Sequence, residues 1–259
     1  MTLGSRWLLL LQCSIGVSAC GDPGGQPCTR DDECPSGFCK ADGTCGVSDV
    51  DASAGDAPAD ASSGLCSPNH DGQIALAELP LIAGRMATFR IATNATFDTA
   101  GTVGAGGARI WDLTGQLAND ADRVIALASP AGAWWAASFP SATYAAPLAS
   151  GSDLAGVFRV ETTGVLLLGV VSPNGGAQRT ELAYDPPAKI LGVPIDANSM
   201  WSSTSTISGT AIGVPTAYTE RYLSRVDHVG TMKTPYGEFP VLRAATDLTR
   251  TQGLATLLT

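Results

Sequence analysis

From about residue 80 onward, apolar positions come in short runs of β-type composition broken every few residues by Gly, Pro, Asn or Asp. No stretch of a dozen residues keeps the 3.6-residue period of an amphipathic helix. The runs predict strands at 88–92, 109–113, 123–128, 133–139, 157–162, 165–171, 178–184, 200–212, 218–226, 230–234 and 239–247. Residues 165–171 are apolar except for Gly169, the pattern of a strand buried on both faces. A short helical turn is expected at 186–191. Turn chemistry joins two pairs of runs: Ser172-Pro173-Asn174-Gly175-Gly176, and Thr234-Pro235-Tyr236-Gly237, where Gly237 supplies a left-handed residue. Strands that follow one another so closely pair antiparallel. The expected fold is therefore all-β, an antiparallel meander forming a sandwich or an open half-barrel over residues 80–259.

The first residues follow another pattern. Arg6 precedes an apolar run, Trp7 to Val17, which ends at Ser18-Ala19-Cys20 before a polar stretch opening Gly21-Asp22-Pro23. Such a segment is too short for a spanning helix and has the layout of a secretory signal peptide, residues 1–19. With its terminal cysteine it resembles the lipobox of bacterial lipoproteins. That resemblance implies cleavage before Cys20, acylation of its thiol (palmitate among the chains) and a permanent anchor for residues 20–27. Gly21, where an Asp would imply retention at the inner membrane, implies the outer membrane; which of its faces the protein occupies stays open.

Cys28, Cys34, Cys39 and Cys45 follow, among turn residues such as Pro35-Ser36-Gly37 and Asp42-Gly43. In an exported chain this spacing reads as a disulfide module at 28–45, because so few residues build no core unaided. The absence of a Cys-x2-Cys pair argues against zinc. The stretch resembles short four-cysteine modules that follow the lipobox in exported proteins of Gram-negative soil bacteria. Residues 46–65, with Asp49, Asp51, Asp56 and Asp60 and no aromatic residue, read as a disordered acidic linker. Cys66 is an odd thiol. The whole chain of 259 residues carries a formal charge of −9, which argues against nucleic acid as a partner.

Residues 66–79 contain the local motif with most chemistry. The twelve residues from Ser67 to Glu78 resemble the calcium loop of an EF-hand, with Ser67, Asn69, Asp71, Gln73 and Glu78 at ligand positions and Gly72 at the sharp turn. Position one is Ser67 instead of an acid, and Pro80 interrupts the flank where a helix would run. Two main readings stand: a loop that binds Ca²⁺, as a structural site or as a sensor, or a metal-free turn built on Asn-x-Asp-Gly. No other cofactor is expected.

In the β region, Asp227-His228 is the one acid–histidine pair that a hydrolase would use, though no nucleophile motif accompanies it. Trp134-Trp135 is the other candidate. In a strand, neighbours face opposite ways, so one indole would be left for a ligand or partner patch unless a second layer covers it. Residues 156–248, with the hairpin Gly230 to Phe239, resemble curved sheets of envelope lipoproteins that carry lipidic groups. The expected function is a lipid-anchored cell-envelope protein whose β domain binds an apolar small molecule or an envelope partner without catalysis. The alternatives are an envelope hydrolase acting on glycan or lipid, and a structural or adhesive surface protein.

Overall fold

The structure is a computed structural model that describes residues 5–10 and 71–252, apart from 94, 116, 118 and 150–152. Cys20, the cysteines of the 28–45 module, the 46–65 linker, Cys66, Ser67 and Asn69 lie outside the described residues.

The described region is all-β, with no α-helix and three one-turn 3-10 helices. Its strands are β1 Ser5–Leu10, β2 Met86–Ala92, β3 Thr102–Val103, β4 Arg109–Asp112, β5 Asp120–Ala126 and β6 Tyr144–Pro147. They continue with β7 Ala155–Glu161, β8 Gly164–Val171, β9 Glu181–Gly192, β10 Met200–Ala211, β11 Val214–Thr234 and β12 Gly237–Gln252. From β6 to β12 each strand pairs antiparallel with the next, the meander expected from closely spaced strands. The short strand β4 pairs parallel to the second half of β11, carries β3 on its other side, and makes the sheet mixed. A separate ribbon joins β2 to β5. β1, which belongs to the expected signal peptide, runs antiparallel along β12.

Several expectations needed correction. The runs at 218–226 and 230–234 are one strand, β11. Residues 186–191 are not a helical turn but part of β9, through Pro186 and Pro187. Residues 133–139 are not a strand: they form a turn and the 3-10 helix Ala136–Ser138. Small residues and Gly132 at φ +78° let the chain coil there instead of extending.

All of β8 is buried, as its apolar run demands, and its side chains serve two cores. Val165, Leu167 and Val170 enter one cluster with Tyr184, Leu191, Ile195, Ile207 and Val226. Leu166, Leu168 and Val171 enter another with Trp135, Phe139 and Val157. The odd-numbered residues serve the first core up to Leu167, and the even-numbered Val170 serves it afterwards. Against β7, Leu168 is an extra residue between the pairs Phe158–Leu167 and Val157–Gly169, and it makes that exchange, because one extra residue turns every later side chain to the opposite face. Gly169 allows it to pack: a Cβ there would lie 2.3 Å from the Phe139 ring. Ile74, Leu76, Leu79 and Leu81 from the segment before β2 cover the first core, pinned by an antiparallel bridge from Ile74 to Ile195. These four side chains are partly buried against that core, so each adds a fraction of the about 1.5–3 kcal/mol of a fully buried Leu or Ile and ties the segment to the fold.

A second bulge lies in β11. Val226 is opposite Ala244, but His228 is opposite Arg243, so Asp227 is the extra residue. Beyond it, the buried positions Met232 and Val241 pack with Trp111 of β4 in a third cluster on the other face.

Candidate functional site

The bulge places Asp227 and His228 against Arg243. Arg243 donates from Nε to Asp227 Oδ1 at 2.7 Å and from a terminal nitrogen to Oδ2 at 2.6 Å, a bidentate pair. That terminal nitrogen is also 2.8 Å from His228 Nδ1, and the other one donates to the Thr99 carbonyl. Below lies the Trp111 ring, its centroid 5.9 Å from the guanidinium carbon, with its indole N–H donated to the same carbonyl at 3.1 Å. Burial pulls the Asp227 carboxyl upward. The hydrogen bonds and positive charge of Arg243 outweigh that and hold it below the usual carboxylate range. His228 Nδ1 is 3.2 Å from Asp227 Oδ1, a separation a catalytic dyad also shows. Both groups also face Arg243, which ties the bulge to the Thr99 carbonyl.

Trp134 and Trp135 do not occupy the strand that made them candidates. Trp135 is buried in the second core, edge-on to Phe139 at 6.3 Å. Trp134 is partly buried, donates to the Ser172 carbonyl at 3.1 Å, and carries Arg179 over its ring at 5.2 Å. The turn packs both indoles against the chain itself.

In the calcium-loop candidate, Gly72 has φ +81°, the left-handed turn that position six demands. Asp71 Oδ1 accepts the Gln73 N–H at 2.8 Å and Glu78 Oε2 accepts the Ala75 N–H at 2.7 Å. Each carboxylate thus caps local backbone. Among the described residues no three His, Cys, Asp or Glu side chains converge as a metal site. The left-handed Gly72 and the Asp71–Gln73 bond belong to both the calcium loop and the metal-free turn; Ser67 and Asn69 lie outside the described residues.

Two arrangements had no motif to announce them. One is a buried ionic cluster on the face of β9–β12 that lines the first core. Glu220 is 1% exposed. Its Oε1 accepts two bonds from Arg250, at 2.9 and 2.6 Å. Its Oε2 accepts hydroxyl hydrogens from Tyr184 at 3.1 Å and Tyr222 at 2.6 Å. Burial, reinforced by the carboxylate, raises both phenols far above the ordinary tyrosine value, so they remain donors at any physiological pH. Arg250 in turn stacks over the Tyr218 ring at 4.5 Å. In sequence, the only signal was a charged residue at an inward position of a strand whose alternate neighbours, Tyr218 and Tyr222, are aromatic.

The other is the β10–β11 hairpin tip. Ala211 is opposite Val214, leaving Ile212 and Gly213 as the central pair, at φ +51° and +75°. Both central residues of such a tight turn need positive φ, which Asn-Gly or Asp-Gly supply without strain. A β-branched isoleucine in that region is an outlier. Its N–H is donated to Thr180 Oγ1 at 3.1 Å and that of Gly213 to the Arg179 carbonyl at 3.1 Å, so the β8–β9 loop holds the turn in place. Ile212 is nevertheless 69% exposed and Val214 62%.

No protein-family model, curated protein or solved structure matches the chain.

Proposed function

We propose that this chain is an exported, lipid-anchored envelope protein whose β domain binds an envelope protein without transforming it. The lipobox-like leader and Cys20 supply the anchor, most simply in the outer membrane, and the acidic linker supplies distance. The observation that carries the binding role is the hairpin tip. An exposed isoleucine is held in a strained conformation that a polar residue would adopt freely, and strain of this kind persists where function needs it. The tip is apolar and tied by backbone hydrogen bonds to Thr180 and Arg179. Neighbouring Val214 extends the apolar surface. An acidic chain is repelled by anionic lipid surfaces, which favours a protein partner over a bilayer. The first core is lined by packed side chains and covered by residues 74–83, which favours this reading over carriage of an apolar ligand in the sheet's concavity. The unbroken order from β6 to β12 in one sheet supports the open half-barrel over the sandwich.

A photo-crosslinking side chain at position 212, compared in intact cells with one at outward-facing Thr204, tests the reading. A discrete protein adduct from 212 alone is expected. Lipid adducts only, or equal labelling from both positions, would remove it. Mass spectrometry of the mature N-terminus tests the anchor: an acylated Cys20 is expected, and an unmodified one ends that part of the proposal.

A further inference from the structure

We infer that the outer edge of β12 is a docking site for an extended, apolar segment of a partner protein, which joins the sheet as a further strand. This docking requires removal of the leader before Cys20, as proposed above, and is independent of the hairpin tip. β1 and β6 are the outer strands of the main sheet. The β6 side is blunted: that strand has four residues, ends at Pro147, and is bridged at Ala145 to Ala128. The other side is long. β12 has 16 residues, and β1 pairs with Arg243 to Leu248 along it. β1 is Ser5–Leu10, inside the leader, so cutting the chain before Cys20 takes that strand away. A row of backbone N–H and C=O groups along about 20 Å of β12 then loses the partners β1 gave it.

The edge has the chemistry of an acceptor strand. Ala244, Ala245 and Thr246 at its centre are small and uncharged, whereas protected edges carry lysine or proline. The flanking charges are engaged with the protein itself: Arg243 with Asp227 and the Thr99 carbonyl, and Asp247 with Arg225 at 3.4 Å. Ala244 and Thr246 stand opposite Val226 and Ser224, and Val226 belongs to the first core. With β1 seated, Ala244 is 5% exposed. Side chains as short as these do not close the flank of Val226, so an added strand must bring bulk there. In β1 the residues opposite Ala244 and Thr246 are Leu9 and Trp7, within the run Trp7-Leu8-Leu9-Leu10. The occupant is therefore an extended segment with large apolar residues two apart; main-chain bonds supply its affinity and the alternate side chains its specificity. A second copy pairing centre to centre would bring another Ala-Ala-Thr row and no bulk, which favours a different protein.

The test uses the processed protein purified from membranes in detergent, with its N-terminus read by mass spectrometry. The probe is a fluorescent peptide of residues 5–10 carrying a soluble neutral tail, followed by anisotropy. Saturable binding is expected. Two N-methylated forms separate strand addition from adsorption, because alternate residues of a strand send their N–H groups to opposite sides. Methylation at Trp7 and Leu9, or at Leu8 and Leu10, changes apolarity and detergent partition alike. One form is expected to bind about tenfold or more weakly and the other within about twofold of the parent peptide. A photo-reactive residue in place of Trp7 is expected to label β12 near Thr246. With the leader removed, no saturable binding, equal effects of the two methylations, or adducts away from β12 overturns the inference. So does a dimeric processed protein that leaves the peptide unbound, which would give the edge to a second copy. A leader still attached in the mass spectrum overturns it through its premise instead.

Discussion

Replacing Asp227 by Ala would take both carboxylate oxygens away from an arginine side chain that is only 11% exposed. The guanidinium would keep the Thr99 carbonyl and His228 Nδ1. Hydrogen bonds to charged groups contribute about 1.5–3 kcal/mol each, so the two lost bonds set a ceiling of about 3–6 kcal/mol. Removing one partner of a buried ion pair costs about 3–5 kcal/mol, and the partners Arg243 retains place this case near the lower end, about 3 kcal/mol. At about 2–4 °C per kcal/mol for a domain of this size, the melting temperature should fall by about 6–12 °C. Urea unfolding followed by tryptophan fluorescence, with a parallel thermal melt, measures both quantities. Asp122→Ala, which breaks the exposed pair with Arg90, is the control and should leave the midpoint unchanged. Adding Arg243→Met to Asp227→Ala should recover much of the loss, because no uncompensated charge then remains on the Trp111 ring. If Asp227→Ala behaves like the control, or the double variant is as unstable as the single one, the bulge is not held by this pair and the reasoning fails.

The same carboxylate sets an acid limb. Its folded pKa lies below the unfolded value, so its stabilisation is complete above about pH 4 and is lost as the pH falls through the folded value; Asp227→Asn should remove that limb from a plot of unfolding free energy against pH. Ile212→Asn should raise stability by about 1 kcal/mol by relieving the left-handed isoleucine, while abolishing any partner binding measured at the tip. Gly209→Ala should destabilise severely and lower the yield of folded protein, since a Cβ there would lie 2.0 Å from the Glu181 carbonyl oxygen at φ +141°; a melt within a degree or two of the parent would contradict the pairing of β9 with β10. Glu78→Ala should lower the melting temperature equally with and without millimolar calcium if Glu78 serves as a backbone cap, and only with calcium if it is a ligand.

Much of the β region was readable from its residues. The runs at 200–212 and 239–247 are the cores of β10 and β12, and the Thr234–Gly237 turn joins β11 to β12 with Gly237 at positive φ. Those features rest on alternation and turn chemistry within a few residues of one another. The misreading at 133–139 came from the same source: Trp134, Trp135 and Phe139 have strand composition, but contacts with Ser172, Arg179 and Gly169 decide where they sit.

The sequence alone determined that the chain has an apolar leader ending in Cys20, a cysteine cluster, an acidic linker and a strand-rich remainder. Each of these is a property of neighbouring residues. Only the tertiary structure decided which face each residue serves. A single extra residue, Leu168 in β8 or Asp227 in β11, reverses every side chain after it, and nothing local marks that residue as the extra one. Glu220 meets Tyr184 across 36 positions and Arg250 across 30, and Arg243 meets Thr99 across 144. Partners so distant are chosen by strand order and register, which the chain settles only when its cores are packed.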